Sequence, residues 1–244
     1  ELDFYIARYD AEIAYTDAQI GELLDYLEEK ALLERTLTVL TSDHGESLGE
    51  HFYFFDHGRF SFQTCLRVPL IFHYPGVLPP RVDGRPLELI HLAPTILEAA
   101  GVELPAGVWM QGRSLTPRLL GRESFSEEPL YAHTEAGYAT GGRWQKVVRD
   151  ERHKLIYAPY RPDQRWIGGR QGAYFALFDL VEDPGETVNL ADRLPEVVDR
   201  LAAELLRWWK PDSFQVLVDA AASEAPQELS EETRRQLEAL GYLK

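Results

Sequence analysis

The sequence predicts an α/β fold in which a layered α/β domain is followed by a small antiparallel sheet with a packed helix. Residues 1–101 show the order helix, strand, strand, helix, which is typical of layered α/β architectures. Residues 130–209 show short strand patterns that end in an amphipathic helix. Residues 104–126 between them are rich in Pro, Gly and polar side chains. We therefore expect one domain at residues 1–122 and a second at residues 123–244.

Hydrophobic periodicity predicts a helix at the start of the first domain. Apolar residues recur at helical spacing, and Asp17 lies on the same stripe as Ile6, Tyr9, Ile13, Ile20, Leu24 and Leu27. A carboxylate buried on that stripe would need a hydrogen-bond donor or a cation as partner. We therefore interpret Asp17 as a structural acid in preference to a catalytic one.

Two strands and a second helix are predicted to follow. The β-branched run at residues 36–41 predicts a buried strand, and residues 68–74 predict another. Residues 91–101 predict a short helix that ends at Gly101. The stretch after Glu46 and up to Gly58 has no clean period, so we expect it to form a loop.

The second domain is predicted to contain short strands followed by helices. The strands are expected to pair as an antiparallel sheet, because turn residues separate several of them. The predicted strands are residues 130–134, 144–149, 153–157 and 174–180, with turns at Gly141-Gly142 and Asp150-Glu151. The predicted helices are residues 195–209, with Val198, Leu201, Leu205 and Trp208 on one face, and residues 228–243.

Composition limits the possible functions. The chain has 244 residues, of which 45% are hydrophobic, so a sizeable core is expected. The formal net charge of -15 argues against nucleic acid as a partner, because phosphate binding requires clustered Lys and Arg. If the substrate is an anion, a metal ion or a few basic residues must supply positive charge locally.

Cysteine content and hydropathy say little about localisation. Cys65 is the only cysteine, so no internal disulfide can form. No segment approaches the length of apolar residues that a membrane span requires, and no signal peptide is visible. The chain opens with Glu1 inside a helical pattern, so we expect residues upstream of it. We expect a soluble protein, and export or a periplasmic location stays open.

Asp43 and His44 lie where the first strand pattern ends in a glycine-containing loop. Ligands gather at the carboxyl ends of strands in α/β sheets, and Asp and His together suit Zn, Mn or Fe. His51 and the Asp56-His57-Gly58 triplet follow within the same stretch. Polar turns after strands also contain these residue types, so the residues alone leave a metal site and an ordinary turn equally open.

Motifs along most of the chain resemble the sulfatase branch of the alkaline-phosphatase superfamily. The resemblance begins in the helix before the first strand, continues through both strands and the next helix, and resumes at the end of the second sheet. The segments that carry it are Tyr15-Thr16-Asp17-Ala18-Gln19-Ile20-Gly21, Leu40-Thr41-Ser42-Asp43-His44-Gly45-Glu46, Arg67-Val68-Pro69-Leu70-Ile71, Leu92-Ala93-Pro94-Thr95-Ile96-Leu97, Gln111-Gly112-Arg113-Ser114-Leu115, and Leu177-Phe178-Asp179-Leu180 with Asp183-Pro184-Gly185-Glu186 and Asn189-Leu190-Ala191.

The resemblance implies part of a three-layer α/β/α alkaline-phosphatase-like sheet and a metal-dependent, arylsulfatase-like sulfuric ester hydrolase. Members use a nucleophile matured from Cys or Ser in a Cys/Ser-x-Pro/Ala-x-Arg motif, which is absent here. Cys65 is followed by Leu66-Arg67-Val68 and does not match it. The nucleophile is therefore expected upstream of Glu1, in a missing N-terminal half that acts as partner. We expect this chain alone to be inactive.

The resemblance also implies roles for three residues. Asp43 matches a family metal ligand. His44 stands where many sulfatases have Asn, and His57 falls about where they have a Lys that holds the sulfate. One divalent metal is implied, calcium by the resemblance, whereas the imidazoles of His44 and His57 favour Zn or Mn. His57 could be a ligand, a charge partner or a general acid.

Three functions therefore remain in competition. The leading hypothesis is hydrolysis of a small-molecule sulfate ester. The second is hydrolysis of a phosphodiester, phosphonate or phosphomonoester by an enzyme of the same superfamily. The third is a non-catalytic binding domain that keeps the fold.

Overall fold

The computed structural model describes residues 2–105, 107–108, 110–122, 130–135, 144–158 and 174–208. The predicted turn at Gly141-Gly142 and the predicted helix at residues 228–243 lie outside these ranges. Among the described helices, none combines the length and apolar character needed to cross a bilayer. The helices are α1 (Leu2–Glu29), α2 (Gln63–Leu66), α3 (Leu92–Ala99), α4 (Thr116–Leu119) and α5 (Pro195–Trp208). The strands are β1 (Thr38–Thr41), β2 (Ser47–Leu48), β3 (Phe54–Asp56), β4 (Leu70–His73), β5 (Leu130–Glu135), β6 (Trp144–Arg149), β7 (His153–Ala158) and β8 (Tyr174–Asp179).

Helix α1 confirms the first predicted helix, but it is largely exposed. No residue of α1 is buried, and Asp17 is exposed as well. Ala31 ends the helix with φ 51°, and the Leu32 amide donates to the Leu27 carbonyl at 2.8 Å, as in a Schellman motif. Because Asp17 is exposed to solvent, its carboxylate does not need a buried hydrogen-bond donor or cation as partner.

Strands β1 and β4 confirm the two predicted strands and form an antiparallel pair. Thr38 lies opposite His73, and Thr41 lies opposite Leu70. The prediction of a buried strand at residues 36–41 was too strong, because β1 is only half-buried and Thr41 is exposed. The Thr41 hydroxyl donates to the Pro69 carbonyl at 2.8 Å, immediately before Ser42-Asp43-His44.

The expected loop after Glu46 instead contains a short hairpin. Strands β2 and β3 pair antiparallel with Ser47 opposite Asp56, and residues 50–52 form a turn between them. His51 and Phe52 adopt left-handed φ values of 54° and 56°. Strands this short carry no periodic signal that could be detected in the sequence. Because β2 and β3 run antiparallel, the hairpin places His57 close to Glu46.

Helix α3 and Gly101 confirm the second predicted helix. Gly101 has φ 67°, and its amide donates to the Glu98 carbonyl at 3.0 Å. The Thr95 hydroxyl donates to the His91 carbonyl at 2.6 Å and accepts the Leu115 amide at 2.8 Å. Helix α3 therefore holds the connecting segment in place. The domain boundary at residue 122 stays a prediction.

Strands β5 to β8 form one antiparallel sheet in chain order, as predicted. Neighbouring residues along a strand point to opposite faces, so each strand contributes to two cores. One face packs Val147, Ile156 and Phe178 against residues 53–65, including Tyr53, Phe60, Phe62 and Cys65. The other face packs Val148, Leu155 and Leu177 against Leu201 and Leu205 of α5. The segment that leads from the hairpin into α2 is thus anchored on the sheet.

Candidate metal centre

Three side chains converge where β1 ends and the hairpin returns. His44 follows β1, Glu46 lies two residues later, and His57 follows β3. One ligand atom from each of these side chains lies within 4.8 Å of the other two. Two imidazoles and a carboxylate at this spacing form the donor set that borderline transition metals prefer.

The two imidazole rings lie face to face. The ring centroids of His44 and His57 are 3.7 Å apart with an interplanar angle of 22°. Two imidazolium ions stacked at this distance would repel each other strongly. The arrangement therefore suits neutral rings, one charged ring, or rings that share a cation.

Hydrogen bonding leaves one nitrogen of His44 facing a carboxylate. His44 Nδ1 lies 2.9 Å from the Gly45 carbonyl oxygen, so Nδ1 carries the proton. His44 Nε2 lies 3.6 Å from Asp43 Oδ2. Two ligands at about 2.1 Å from a tetrahedral ion are roughly 3.4 Å apart, so this separation fits two ligands of one cation.

Asp43 lies at the rim of the group. Its side chain is 85% exposed, and Oδ1 accepts the His44 amide at 2.9 Å. That amide lowers the pKa of Asp43, so the carboxylate is ionised and able to bind a cation. The Ser42 hydroxyl donates to the His44 carbonyl at 2.7 Å and tightens the turn.

Glu46 and Tyr53 hold His57 from two sides. His57 Nδ1 lies 2.9 Å from Glu46 Oε2, an arrangement that orients the ring and leaves Nε2 available. The Tyr53 hydroxyl donates to the His57 carbonyl at 2.9 Å. Burial raises the pKa of Tyr53, which keeps the phenol neutral as a donor. The ring of Tyr53 packs edge-on against Phe60 in the sheet core.

Gly45 fits between the ligand residues because it has no side chain. A Cβ at this position would lie 2.1 Å from the Thr64 carbonyl oxygen. The Gly45 amide donates to the Cys65 carbonyl at 2.8 Å. Helix α2 therefore packs directly against the backbone that separates His44 from Glu46.

The structure brings the three predicted site residues, Asp43, His44 and His57, into one patch. Their roles stay predictions. Other histidines lie elsewhere: His51 stacks on Phe62 with centroids 3.6 Å apart, and His73 is exposed on β4.

Glu46 and Tyr53 were not among the residues predicted from the sequence. Glu46 could have been found, because alternate residues of an extended segment such as His44 and Glu46 share a face. No local signal marks Tyr53.

The chain is similar in sequence to known proteins. The family model described as Sulfatase matches residues 4–102. The choline-sulfatase of Rhizobium meliloti (strain 1021) is 31% identical over 216 residues, which cover 86% of this chain and 38% of that protein.

Two solved structures extend the comparison to the fold. One, a complex with its substrate D-glucosamine-2-N,6-O-disulfate, has a TM-score of 0.63 at 30% identity and covers 80% of this chain and 38% of the other. The phosphonate monoester hydrolase from Silicibacter pomeroyi has a TM-score of 0.61 at 28% identity, covering 78% of this chain and 38% of the other. The chain thus spans less than half the length of each relative. The sequence pattern and the α/β fold lead to the same conclusion: this chain belongs to the sulfatase family.

Proposed function

We propose that this chain supplies the metal-binding wall of a sulfuric ester hydrolase of the arylsulfatase type. The observation that carries the proposal is the convergence of His44, Glu46 and His57, with Asp43 beside them, in a member of the sulfatase family. The substrate class is a small-molecule sulfate ester, as it is for the relative solved with a disulfated glucosamine.

Asp43, His44 and Glu46 are the residues that would hold one divalent cation, with His57 beside them. When bound, the cation would polarise the ester oxygens and offset the negative charge that develops during cleavage. Gly45 sets the spacing between His44 and Glu46, because it has no side chain. The Asp43 carboxylate is exposed to solvent, from which the cation and the anionic substrate would enter.

His57 is the best placed proton donor for a leaving oxygen. Its Nδ1 is held by Glu46, so the proton to be transferred resides on Nε2. In the protonated state His57 would donate that proton to the departing alkoxide, which is the role of a general acid. If His57 instead binds the cation, Glu46 keeps the same orienting function.

The donor set favours zinc or manganese over calcium. Calcium prefers six to eight oxygen ligands, whereas stacked imidazoles occupy much of this site. Imidazole suits the borderline metals, and the separation of His44 Nε2 from Asp43 Oδ2 of 3.6 Å fits their shorter bonds.

Hydrolysis of a phosphonate or phosphate ester is the second candidate. The same imidazole pair favours it, and a phosphonate monoester hydrolase is among the structural relatives at 28% identity. A phosphonate monoester or phosphodiester carries one negative charge, as a sulfate ester does, and a phosphomonoester carries up to two, so the same cation would attract each of these anions.

We infer that other parts of a complete enzyme supply the nucleophile and cover an apolar surface of this chain. Among the described residues, Phe4 and Tyr15 on α1 and Phe52 in the hairpin are 60%, 64% and 74% exposed. The rings of Tyr5 on α1 and Phe55 in the hairpin, 51% and 43% exposed, are 5.1 Å apart, so α1 and the hairpin share an exposed apolar patch. A contiguous patch of this kind marks a surface that another protein segment covers. This chain alone is therefore expected to be inactive.

The proposal is tested in the complete enzyme with Asp43→Ala, His57→Gln and the control His73→Gln. Bound metal is measured by plasma mass spectrometry after dialysis, and turnover is measured on an aryl sulfate and an aryl phosphonate. Asp43→Ala is expected to lose metal and roughly a hundredfold or more in activity, whereas His73→Gln keeps both. Equal losses from Asp43→Ala and His73→Gln would place the site elsewhere. Turnover by the 244-residue chain that Asp43→Ala abolishes would refute the need for other parts.

A further inference from the structure

A fully buried ion pair contacts helix α2, which packs against the candidate metal centre. Lys154 on β7 and Glu186 after β8 have side chains that are 0% and 1% exposed, and Lys154 Nζ lies 2.5 Å from Glu186 Oε1. Burying two charges is costly unless their remaining hydrogen-bonding capacity is used. Glu186 also has a left-handed φ of 56°, a conformation that L residues rarely adopt. A costly pair at a strained position needs an explanation beyond stability.

The second carboxylate oxygen of Glu186, which lies in the loop after β8, contacts helix α2. Glu186 Oε2 accepts the Gln63 amide at 2.6 Å, at the first residue of α2. One strand away, Gln145 Oε1 accepts the Ser61 amide at 2.8 Å. The amide of a first helical residue has no partner within the helix, so the Glu186 carboxylate satisfies that of Gln63, while Gln145 holds Ser61 just before the helix.

Helix α2 in turn contacts the backbone of the metal centre. The Cys65 carbonyl accepts the Gly45 amide at 2.8 Å, and the Thr64 carbonyl leaves no room for a Cβ on Gly45. Gly45 separates His44 from Glu46, and both side chains meet His57. A continuous path of contacts therefore links Glu186 to the spacing of the ligand residues.

We propose that Glu186, held by Lys154, is a positioning residue that sets helix α2 and, through the Gly45 amide, the separation of His44 and Glu46. The inference rests on the proposed function, since it concerns the same metal centre. Neither residue touches the reacting atoms. Burial lowers the pKa of Lys154 to about 8, and the adjacent Glu186 carboxylate opposes that shift, consistent with an ion pair that is maintained at neutral pH.

The test compares two substitutions that differ in one hydrogen bond to Glu186. Both remove the Gln63 side chain, whose Oε1 lies 3.5 Å from Lys154 Nζ, so that contact is lost equally in the two. Gln63→Pro lacks the amide that Glu186 accepts, whereas the control Gln63→Ala keeps it. Proline is tolerated at a first helical position, and the preceding residue Phe62 is extended with φ -73° and ψ 159°, as proline requires. Amide hydrogen exchange at Gly45 and Mn²⁺ affinity by electron paramagnetic resonance are measured on the full chain.

Gln63→Ala is expected to match the unsubstituted protein in both measurements. Gln63→Pro is expected to show faster exchange at Gly45 and Mn²⁺ binding weakened roughly tenfold to a hundredfold, the usual effect of losing a residue that orients ligands. Equal exchange and equal Mn²⁺ affinity in the two variants would overturn the proposal. If the unsubstituted chain binds no Mn²⁺, the proposed function fails, while the exchange at Gly45 still decides the positioning role.

A second pair of variants applies if Gln63→Pro does not fold. Lys154→Met combined with Glu186→Gln removes both charges but keeps an oxygen acceptor for the Gln63 amide. Lys154→Met combined with Glu186→Leu removes the acceptor as well. The variant with Glu186→Gln is expected to keep the Gly45 amide protected from hydrogen exchange. The variant with Glu186→Leu is expected to show faster exchange at Gly45. Equal protection in both would show that the pair only stabilises the sheet.

Discussion

Gly45→Ala tests the packing of helix α2 against the candidate metal centre. The added Cβ would lie 2.1 Å from the Thr64 carbonyl oxygen, 3.1 Å from its carbon and 3.3 Å from the Arg67 carbonyl oxygen. These are backbone atoms, so no side-chain rotation can relieve the contact. Because unstrained non-bonded contacts need upwards of about 3.2 Å, the segment at Gly45 must move by roughly 1 Å.

The free energy of unfolding is expected to fall by about 2–4 kcal/mol. Overpacking at a close contact costs about 1–3 kcal/mol, and loss of the hydrogen bond from the Gly45 amide to Cys65 adds about 1 kcal/mol. A displacement of roughly 1 Å at His44 and Glu46 is also expected to reduce turnover by the complete enzyme about a hundredfold. Stability is measured by urea unfolding, and metal affinity by titration of the folded protein.

Gly84→Ala is the matched control. A Cβ on Gly84 meets nothing within 4 Å, so the same substitution has open space there. The control is expected to change stability by less than about 0.5 kcal/mol and to leave metal affinity unchanged. If Gly45→Ala behaves like Gly84→Ala in both assays, the contact between α2 and the metal centre does not exist in solution.

Three further predictions follow from the same structure. The Asp83 pKa is lowered from 3.8 by hydrogen bonds from Arg85 and Arg118, so its stabilising contribution is present above that value and is lost as pH falls below it. Asp83→Asn should therefore lose about 1–2 kcal/mol at pH 7 and converge on the unsubstituted protein in acid, measured by urea unfolding at several pH values; a constant difference down to pH 2 would contradict this. Leu205→Ala should lose about 2–5 kcal/mol because Leu205 is 2% exposed, whereas Leu206→Ala, at 62% exposure, should lose less than about 1 kcal/mol in thermal unfolding. Tyr53→Phe should lose about 1 kcal/mol and shift the imidazole resonances of His57 but not those of the distant His73, because the Tyr53 hydroxyl donates to the His57 carbonyl. Unshifted His57 signals would argue against that contact.

Elements with a sustained period were predictable from the sequence. Helix α1, strand β7 and helix α5 each carry enough apolar repeats for their type to be assigned, and the observed bounds agree within a few residues. The hairpin at β2 and β3 was not predictable, because its strands are two and three residues long. Its shape comes from tertiary packing of Tyr53 on the sheet, which no local pattern encodes.

Some residues of the candidate site can likewise be identified from the local sequence, whereas long-range contacts determine how they are arranged. Asp43 and His44 were identifiable because a strand pattern ends beside them, and residue chemistry then suggests a cation. The proximity of His57 depends on the hairpin, and the position of Gly45 depends on α2. Helix α2 depends in turn on Glu186, which is 123 residues from Gln63 along the chain. Such a distance explains why Glu186 could not be identified from the sequence, whereas Glu46 was within reach of local reasoning because it alternates with His44. A donor set can be found from local residues, whereas its geometry is set by the sheet that supports it.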